Sequence, residues 1–143
     1  MKKKILIIFS FILFVACSKE DENPSKAVVI GTYQLIEKEG SIPNSVQTGI
    51  DMEWQEKYVL RGDNTFTKTR IRDGVVLEAS GSYETNISSA NENLIIFYYA
   101  TPNVLVGSCG SDKQEGALFQ TESIFVSSWH ACDGPRLTYE KMD

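Results

Sequence analysis

VVLEASGSYE, residues 75–84, sets the fold class of this chain. Val75, Leu77, Ala79, Gly81 and Tyr83 alternate with Val76, Glu78, Ser80, Ser82 and Glu84. A period of two is the mark of a strand with one face buried and one face wet. Just before it stands Asp73-Gly74, a dipeptide suited to a two-residue hairpin, and before that Thr65–Arg72, a second strand. Further back, Glu56–Arg61 turns through Gly62-Asp63-Asn64 into Phe66. Trp54–Glu84 therefore reads as a three-strand antiparallel meander.

The same reading extends outward in both directions. Val28–Lys38 supplies a first strand, and LIIFYYA (Leu94–Ala100) is a continuous apolar run between two turn-rich segments. Its length and its β-branched and aromatic content favour strand over helix. Ala117–Gln120 pairs as a hairpin with Glu122–Trp129, and Pro135–Met142 closes the chain with Leu137 and Tyr139 on one face. No stretch sustains a period of 3.6, although Ser41–Ile50 has room for one short helical turn. About eight closely spaced strands predict an all-β domain: a small antiparallel up-and-down barrel, with a β-sandwich as the alternative. Closure would remove the exposed edges that an open sheet must protect.

Gly31-Thr32-Tyr33-Gln34-Leu35 resembles the Gly-x-Trp opening of lipocalin-like domains, with Tyr33 in the place of the usual Trp. Tyr58–Phe66, with its Gly-Asp-Asn turn, resembles their strand-turn-strand pattern, in which the turn usually reads Asp-Gly. Gly81-Ser82-Tyr83 followed by Asn93-Leu94-Ile95, and the closing Leu137–Lys141, are similar to their later strands. The resemblance covers most of residues 30–142 and points to the bacterial lipocalin-like lipoproteins. It implies a barrel that binds a small hydrophobic or amphipathic molecule without catalysis, through inward Tyr33, Tyr83, Phe97 and Tyr99. An eight-stranded barrel is wide enough either to hold one small ligand or to be filled by side chains. Tyr33, Phe66, Tyr83, Phe97, Tyr99 and Phe125 are large enough to fill it, and the second reading is then a packed module for protein contact in the envelope.

The N-terminus supplies an address. Lys2, Lys3 and Lys4 precede Ile5–Ala16, an apolar run too short to span a bilayer but suited to a signal peptide. Phe14-Val15-Ala16-Cys17 resembles a lipobox, which implies cleavage before Cys17 and acylation of its thiol. Residues 18–26 are polar, acidic and proline-containing, as a flexible tether requires. Their Lys-then-acids order resembles the surface-export signal of Bacteroidota-type lipoproteins. The expected organisation is residues 1–16 as signal peptide, 17–26 as lipidated cysteine and tether, and 27–143 as the barrel domain. The expected location is the outer membrane, lipid-anchored, and the cell surface by the export-like signal.

Charge excludes some partners. The whole chain carries 14 basic and 19 acidic residues, a formal −5, and loss of the leader with its three lysines moves this to −8. A chain so acidic, without a basic stripe, is repelled by phosphate backbones, so no nucleic-acid partner is expected. The membrane contact is the lipid on Cys17.

Cys109 and Cys132 remain for a disulfide, the common fate of two leftover cysteines in an oxidising compartment. The competing reading groups Cys109, His130, Cys132 and Asp133 around a metal, but it lacks Cys-x-x-Cys spacing. His130, the sole histidine, lies near Ser108, Ser127, Ser128 and Asp133, yet no Gly-x-Ser-x-Gly elbow accompanies it. No catalytic residue, metal or cofactor is expected. Arg61-Gly62-Asp63 spells an adhesion tripeptide, but Gly and Asp there serve the turn.

Overall fold

The computed structural model of the chain describes residues 29–87 and 93–142. The segments expected to be signal peptide and tether, and Cys17 between them, lie outside the described residues.

The strands are β1 (Gly31–Glu39), β2 (Gln47–Thr48), β3 (Gln55–Leu60), β4 (Thr65–Arg72), β5 (Val75–Ile87), β6 (Asn93–Tyr99), β7 (Gln114–Phe119), β8 (Ile124–Ser127) and β9 (Arg136–Lys141). Every neighbouring pair is antiparallel. The ring runs β1-β3-β4-β5-β6-β7-β8-β9, and β9 pairs back onto β1 from Tyr33↔Lys141 to Glu39↔Arg136. That last pairing makes the fold a closed eight-stranded barrel rather than a sandwich. The two-residue β2 lies beside β1 at Glu37 and Lys38, beyond the point where β3 has left it.

Local chemistry explains the meander. Asp73 and Gly74 both take left-handed backbone angles (φ 51° and 77°), as a two-residue hairpin with the right twist requires. At the other turn, the Asp63 carboxylate accepts the Thr65 N–H at 3.0 Å and the Thr65 hydroxyl at 2.7 Å, with Asn64 left-handed (φ 64°). Arg61-Gly62-Asp63 is thus accounted for by turn geometry. The helical turn expected within Ser41–Ile50 is a single 3-10 turn, Gly49–Asp51. The strand expected over Glu122–Trp129 stops at Ser127, because Ser128–Cys132 forms a second 3-10 turn.

The barrel has two unlike ends. One carries the tight turn 61–64, the β7–β8 turn and the approach to β1. The other carries the connections 40–54, 100–113 and 128–135 together with the Asp73-Gly74 hairpin tip. We call these the turn end and the loop end.

Alternate residues of every long strand point inward, and the rings among them pack against one another, some stacked and others edge to face. Tyr33 meets Phe125 at a centroid distance of 4.9 Å, Phe125 meets Tyr139 at 4.9 Å, Tyr58 meets Phe97 at 4.7 Å, and Phe66 meets both Phe97 and Tyr99 at 5.0 Å. All of them are buried. Each such ring contributes roughly 1.5–3 kcal/mol by leaving water, and each favourable ring pair adds about 0.5–1.5 kcal/mol.

The alternation of residues 75–84 holds where the strand faces the barrel: Ala79 and Gly81 are half-buried and Tyr83 is buried. It fails at Val75 and Leu77, which are exposed with Val76. The reason is length. β5 has 13 residues and β6 has 7, and their pairing begins only at Gly81↔Tyr99, so the start of β5 projects beyond the wall.

Candidate functional site

Towards the loop end the interior changes from apolar to ionic. Glu56 on β3, Lys68 and Arg70 on β4, and Glu115 on β7 share the inward parity of Tyr58, Leu60, Phe66 and Ala117. Register brings them together, since Glu56 lies opposite Arg70 and Tyr58 opposite Lys68. Lys68 is 1% exposed, and its ammonium lies 3.1 Å from Glu56 and 3.1 Å from Glu115. Arg70 pairs with the other oxygen of Glu56. Two cations thus face two carboxylates, and the cluster is neutral.

Hydrogen bonds complete it. Tyr58 and Tyr99 donate their hydroxyls to Glu115, and Tyr139 donates to Glu56. From the 100–113 connection, Gly107 donates its N–H to Glu115 at 2.6 Å, and the Leu105 carbonyl accepts from Lys68 at 2.8 Å. Burying ions is costly unless every lone pair and proton finds a partner, and here both loop and wall supply partners.

Electrostatics follows from this packing. Burial, and then the nearby Glu115 charge, push Tyr58 and Tyr99 well above the ordinary phenol range. Burial and Glu56 do the same to Tyr139. Burial and Tyr83 raise Tyr33 to about 12. These phenols therefore stay protonated and act as donors. For Glu56, burial pushes the carboxyl up, but Lys68, Arg70 and the Tyr139 and Arg70 hydrogen bonds overcome it and hold the group below its ordinary value.

Two caps close the loop end. The Trp54 ring carries the Lys38 ammonium at 4.0 Å and the Arg70 guanidinium at 4.8 Å from its centroid, and both Trp54 and Met52 are buried. Leu105 inserts fully from the 100–113 connection. That connection is fastened by the Cys109–Cys132 disulfide, with a Cα–Cα distance of 5.5 Å, to the turn after β8. Both sulfurs expected to pair do so, which leaves no thiolate for the alternative metal reading. His130 bonds through Nδ1 to the Ser127 carbonyl at 2.7 Å, and the Ser128 hydroxyl donates to Gly116. Among the described residues no three His, Cys, Asp or Glu side chains converge as a metal-holding group.

Opening the disulfide with reductant, or by Cys132→Ser, is expected to lower stability by about 3 kcal/mol, as closure of a loop of roughly 22 residues implies. Hydrogen exchange would locate the effect. The Gly107 amide, held by Glu115, should lose more protection than core amides such as that of Ile95. An equal change at both would mean that the bond constrains the whole fold and not this cap.

Of the residues expected to contact a ligand, Tyr33, Tyr83, Phe97 and Tyr99 all lie inside the barrel and all are buried. Phe97 touches Tyr58, Phe66 and Phe125, Tyr99 is bound to Glu115, and the Tyr83 hydroxyl donates to the Arg61 carbonyl at 2.7 Å. Sequence reading did not pick out Glu56, Lys68, Arg70 or Glu115. Their signal was present in the parity of Glu56-x-Tyr58-x-Leu60 and Phe66-x-Lys68-x-Arg70, which puts charges on the apolar face.

The outside of the loop end is unusually apolar. Of ten exposed large hydrophobic side chains among the described residues, Ile42, Val46, Ile50, Ile71, Val75, Val76, Leu77 and Val104 lie there; only Ile30 and Met142 lie at the turn end. Ile50 is 95% exposed and Val104 80%. Neither a family model, nor a curated protein, nor a solved structure matches this chain.

Proposed function

We propose that this chain is a non-catalytic, lipid-anchored envelope lipoprotein of the lipocalin-like kind, whose barrel is a rigid module for protein contact. The observation that carries the reading is the inverted use of apolar surface. Rings and a satisfied ionic cluster occupy the barrel axis, while eight large apolar side chains stand in water around one end. Exposed apolar groups gathered in one region mark a contact surface more often than scattered ones do. The chain enters β1 at the turn end, where Gly31 lies opposite Leu60. A lipid on Cys17, joined through the acidic tether, would hold the turn end toward the membrane and present the apolar rim outward, at the outer membrane surface.

The sequence's other reading, a small amphipathic ligand within the barrel, makes a different prediction for an environment-sensitive apolar dye. For a packed module, dye uptake comes from the rim. Ile50→Asp with Val104→Asp should abolish it while changing stability by less than about 0.5 kcal/mol, as expected of surface positions. Saturable one-to-one uptake that survives this double substitution, together with a co-purified small molecule in native mass spectrometry, would replace the module reading with the ligand reading.

A further inference from the structure

The connection between β6 and β7 carries a loop, residues 104–111, that is closed on itself at its neck, where the Asn103 N–H donates to the Asp112 carbonyl at 2.9 Å. Among the described residues no backbone–backbone hydrogen bond joins 104–111 to a strand, and Val106 donates to Asn103 at the loop's own neck. A compact loop with its ends together can lift as a unit. It is held down by the fully buried Leu105 side chain, by the Leu105 carbonyl on Lys68 at 2.8 Å, by the Gly107 N–H on Glu115 at 2.6 Å and by the Cys109–Cys132 disulfide. Leu105 stands apart from the continuous apolar core, although Val106 packs against that core. A Cβ added at Gly107 would lie 3.0 Å from the Trp129 ring and 3.4 Å from Glu115 Oε2, so this place favours glycine. The seat below the loop is built by the wall. Glu115 is fixed by the Tyr58 and Tyr99 hydroxyls, and Lys68 by Glu56 and Glu115.

We propose that this seat is a binding site for a peptide of the form Leu-x-Gly, which residues 105–107 fill as the chain's own stand-in, and that the disulfide latches it shut. The inference adds an internal site to the apolar rim and does not depend on it. The loop itself shows the chemistry of the occupant. One aliphatic side chain enters, its carbonyl meets an ammonium, and two residues on an N–H meets a carboxylate beside the Trp129 ring. These contacts use backbone groups and a single side chain, so a second peptide can make them in the same way. Lifting the loop leaves Lys68 short of one acceptor and Glu115 short of one donor, and buried polar groups left without partners are costly. A peptide restores both bonds to a wall that is already arranged for them. The latch lies within reach of solvent, since Cys109 and Cys132 are both exposed. A dithiol reductant opens it: one thiolate attacks one sulfur and releases the other cysteine, and the second thiol of the reductant then displaces the first. Two electrons and two protons end on Cys109 and Cys132 as thiols, and the reductant leaves as its own disulfide.

The test uses the full chain carrying Cys17→Ser, oxidised or treated with dithiothreitol, and a fluorescent peptide copying residues 103–108, Asn-Val-Leu-Val-Gly-Ser. The tethered loop competes at an effective concentration of about 1 mM, so half-saturation of the reduced chain is expected near that concentration. The oxidised chain should give no saturable rise in fluorescence anisotropy, nor should the reduced chain with a peptide carrying serine in place of leucine. Hydrogen exchange follows the loop. In the reduced chain the peptide should speed exchange at the Gly107 amide severalfold and leave Ile95 protected. Equal binding to the oxidised chain, equal binding of the serine peptide, or no binding to a reduced chain whose Ile95 stays protected would each overturn the proposal. So would loss of Ile95 protection on reduction alone, since the disulfide would then hold the whole fold and not a separable loop. The exposed Ile50 of the rim is present in both redox states, so uptake that needs reduction is not rim binding, and the module reading stands or falls separately.

Discussion

Lys68→Met is expected to cost the domain about 3–5 kcal/mol, the penalty for breaking a buried ion pair from one side. The ammonium is the common partner of Glu56, Glu115 and the Leu105 carbonyl. Without it, Glu56 keeps only Arg70 as a counter-ion, Glu115 keeps only its neutral donors, and Leu105 loses its donor. Small domains are stable by about 5–15 kcal/mol, so a loss of this size brings the fold close to its limit. Chemical denaturation should show the midpoint falling with the slope unchanged. Adding Glu115→Gln should cost less than the sum of the two single changes, with a coupling of about 0.5–3 kcal/mol. A loss under about 1 kcal/mol for Lys68→Met, typical of an exposed pair, would refute its role as the buried counter-ion. The same variant carries a pH signature. Because Glu56 in the fold is held below its ordinary value of 4.5, its contribution is complete above that pH and is lost as acid protonates it. Unfolding on the acid side should therefore begin below pH 4.5 in the parent, and at a higher pH once the Lys68 charge is gone.

Gly81→Ala is expected to be equally damaging for a different reason. A Cβ at Gly81 would lie 1.9 Å from the Tyr98 carbonyl oxygen, 2.8 Å from its carbon and 2.9 Å from the Tyr99 Cα. All three are backbone atoms of β6, so no side-chain rotation relieves the clash, and β5 and β6 must separate where their pairing starts. The cost should be about 3 kcal/mol or more, the upper range for overpacking. Tyr99, which donates to Glu115, would shift with its strand. Gly74→Ala is the control, since an added Cβ there meets nothing within 4 Å and only the left-handed angle is disfavoured, by roughly 1–2 kcal/mol. Equal melting temperatures for the two variants would mean that β6 yields freely at this point.

Much of this architecture is written locally. The period of two, the Asp73-Gly74 dipeptide and the Gly62-Asp63-Asn64 turn each act over a few residues, and the strands they announce form in the expected order. The large inward rings were legible too, because parity alone assigns Tyr33, Phe66, Tyr83, Phe97, Tyr99 and Phe125 to one side. The ionic cluster was not. Lys68 and Glu115 are 47 residues apart, and charged side chains in strands are usually solvated. Only the register of β3 on β4 and the curvature of the wall make them partners. The projecting start of β5 was hidden for a related reason. An alternating pattern says which side is apolar, but where the neighbouring strand ends depends on the connection after Tyr99.

Closure of the ring by β9 on β1 has a consequence for how the chain comes into being. The first strand finds one of its two long neighbours only among the final residues, Arg136–Lys141. During synthesis or threading through a pore, the segments that hold Glu56 and Lys68 emerge early, yet their surroundings are incomplete until Tyr139, the donor to Glu56, arrives. The hairpins between consecutive strands are local, but the ring closes only in one late, long-range step, of the kind that slows folding. The proposed export would use this timing, since the chain would pass a narrow channel before ring closure makes it rigid.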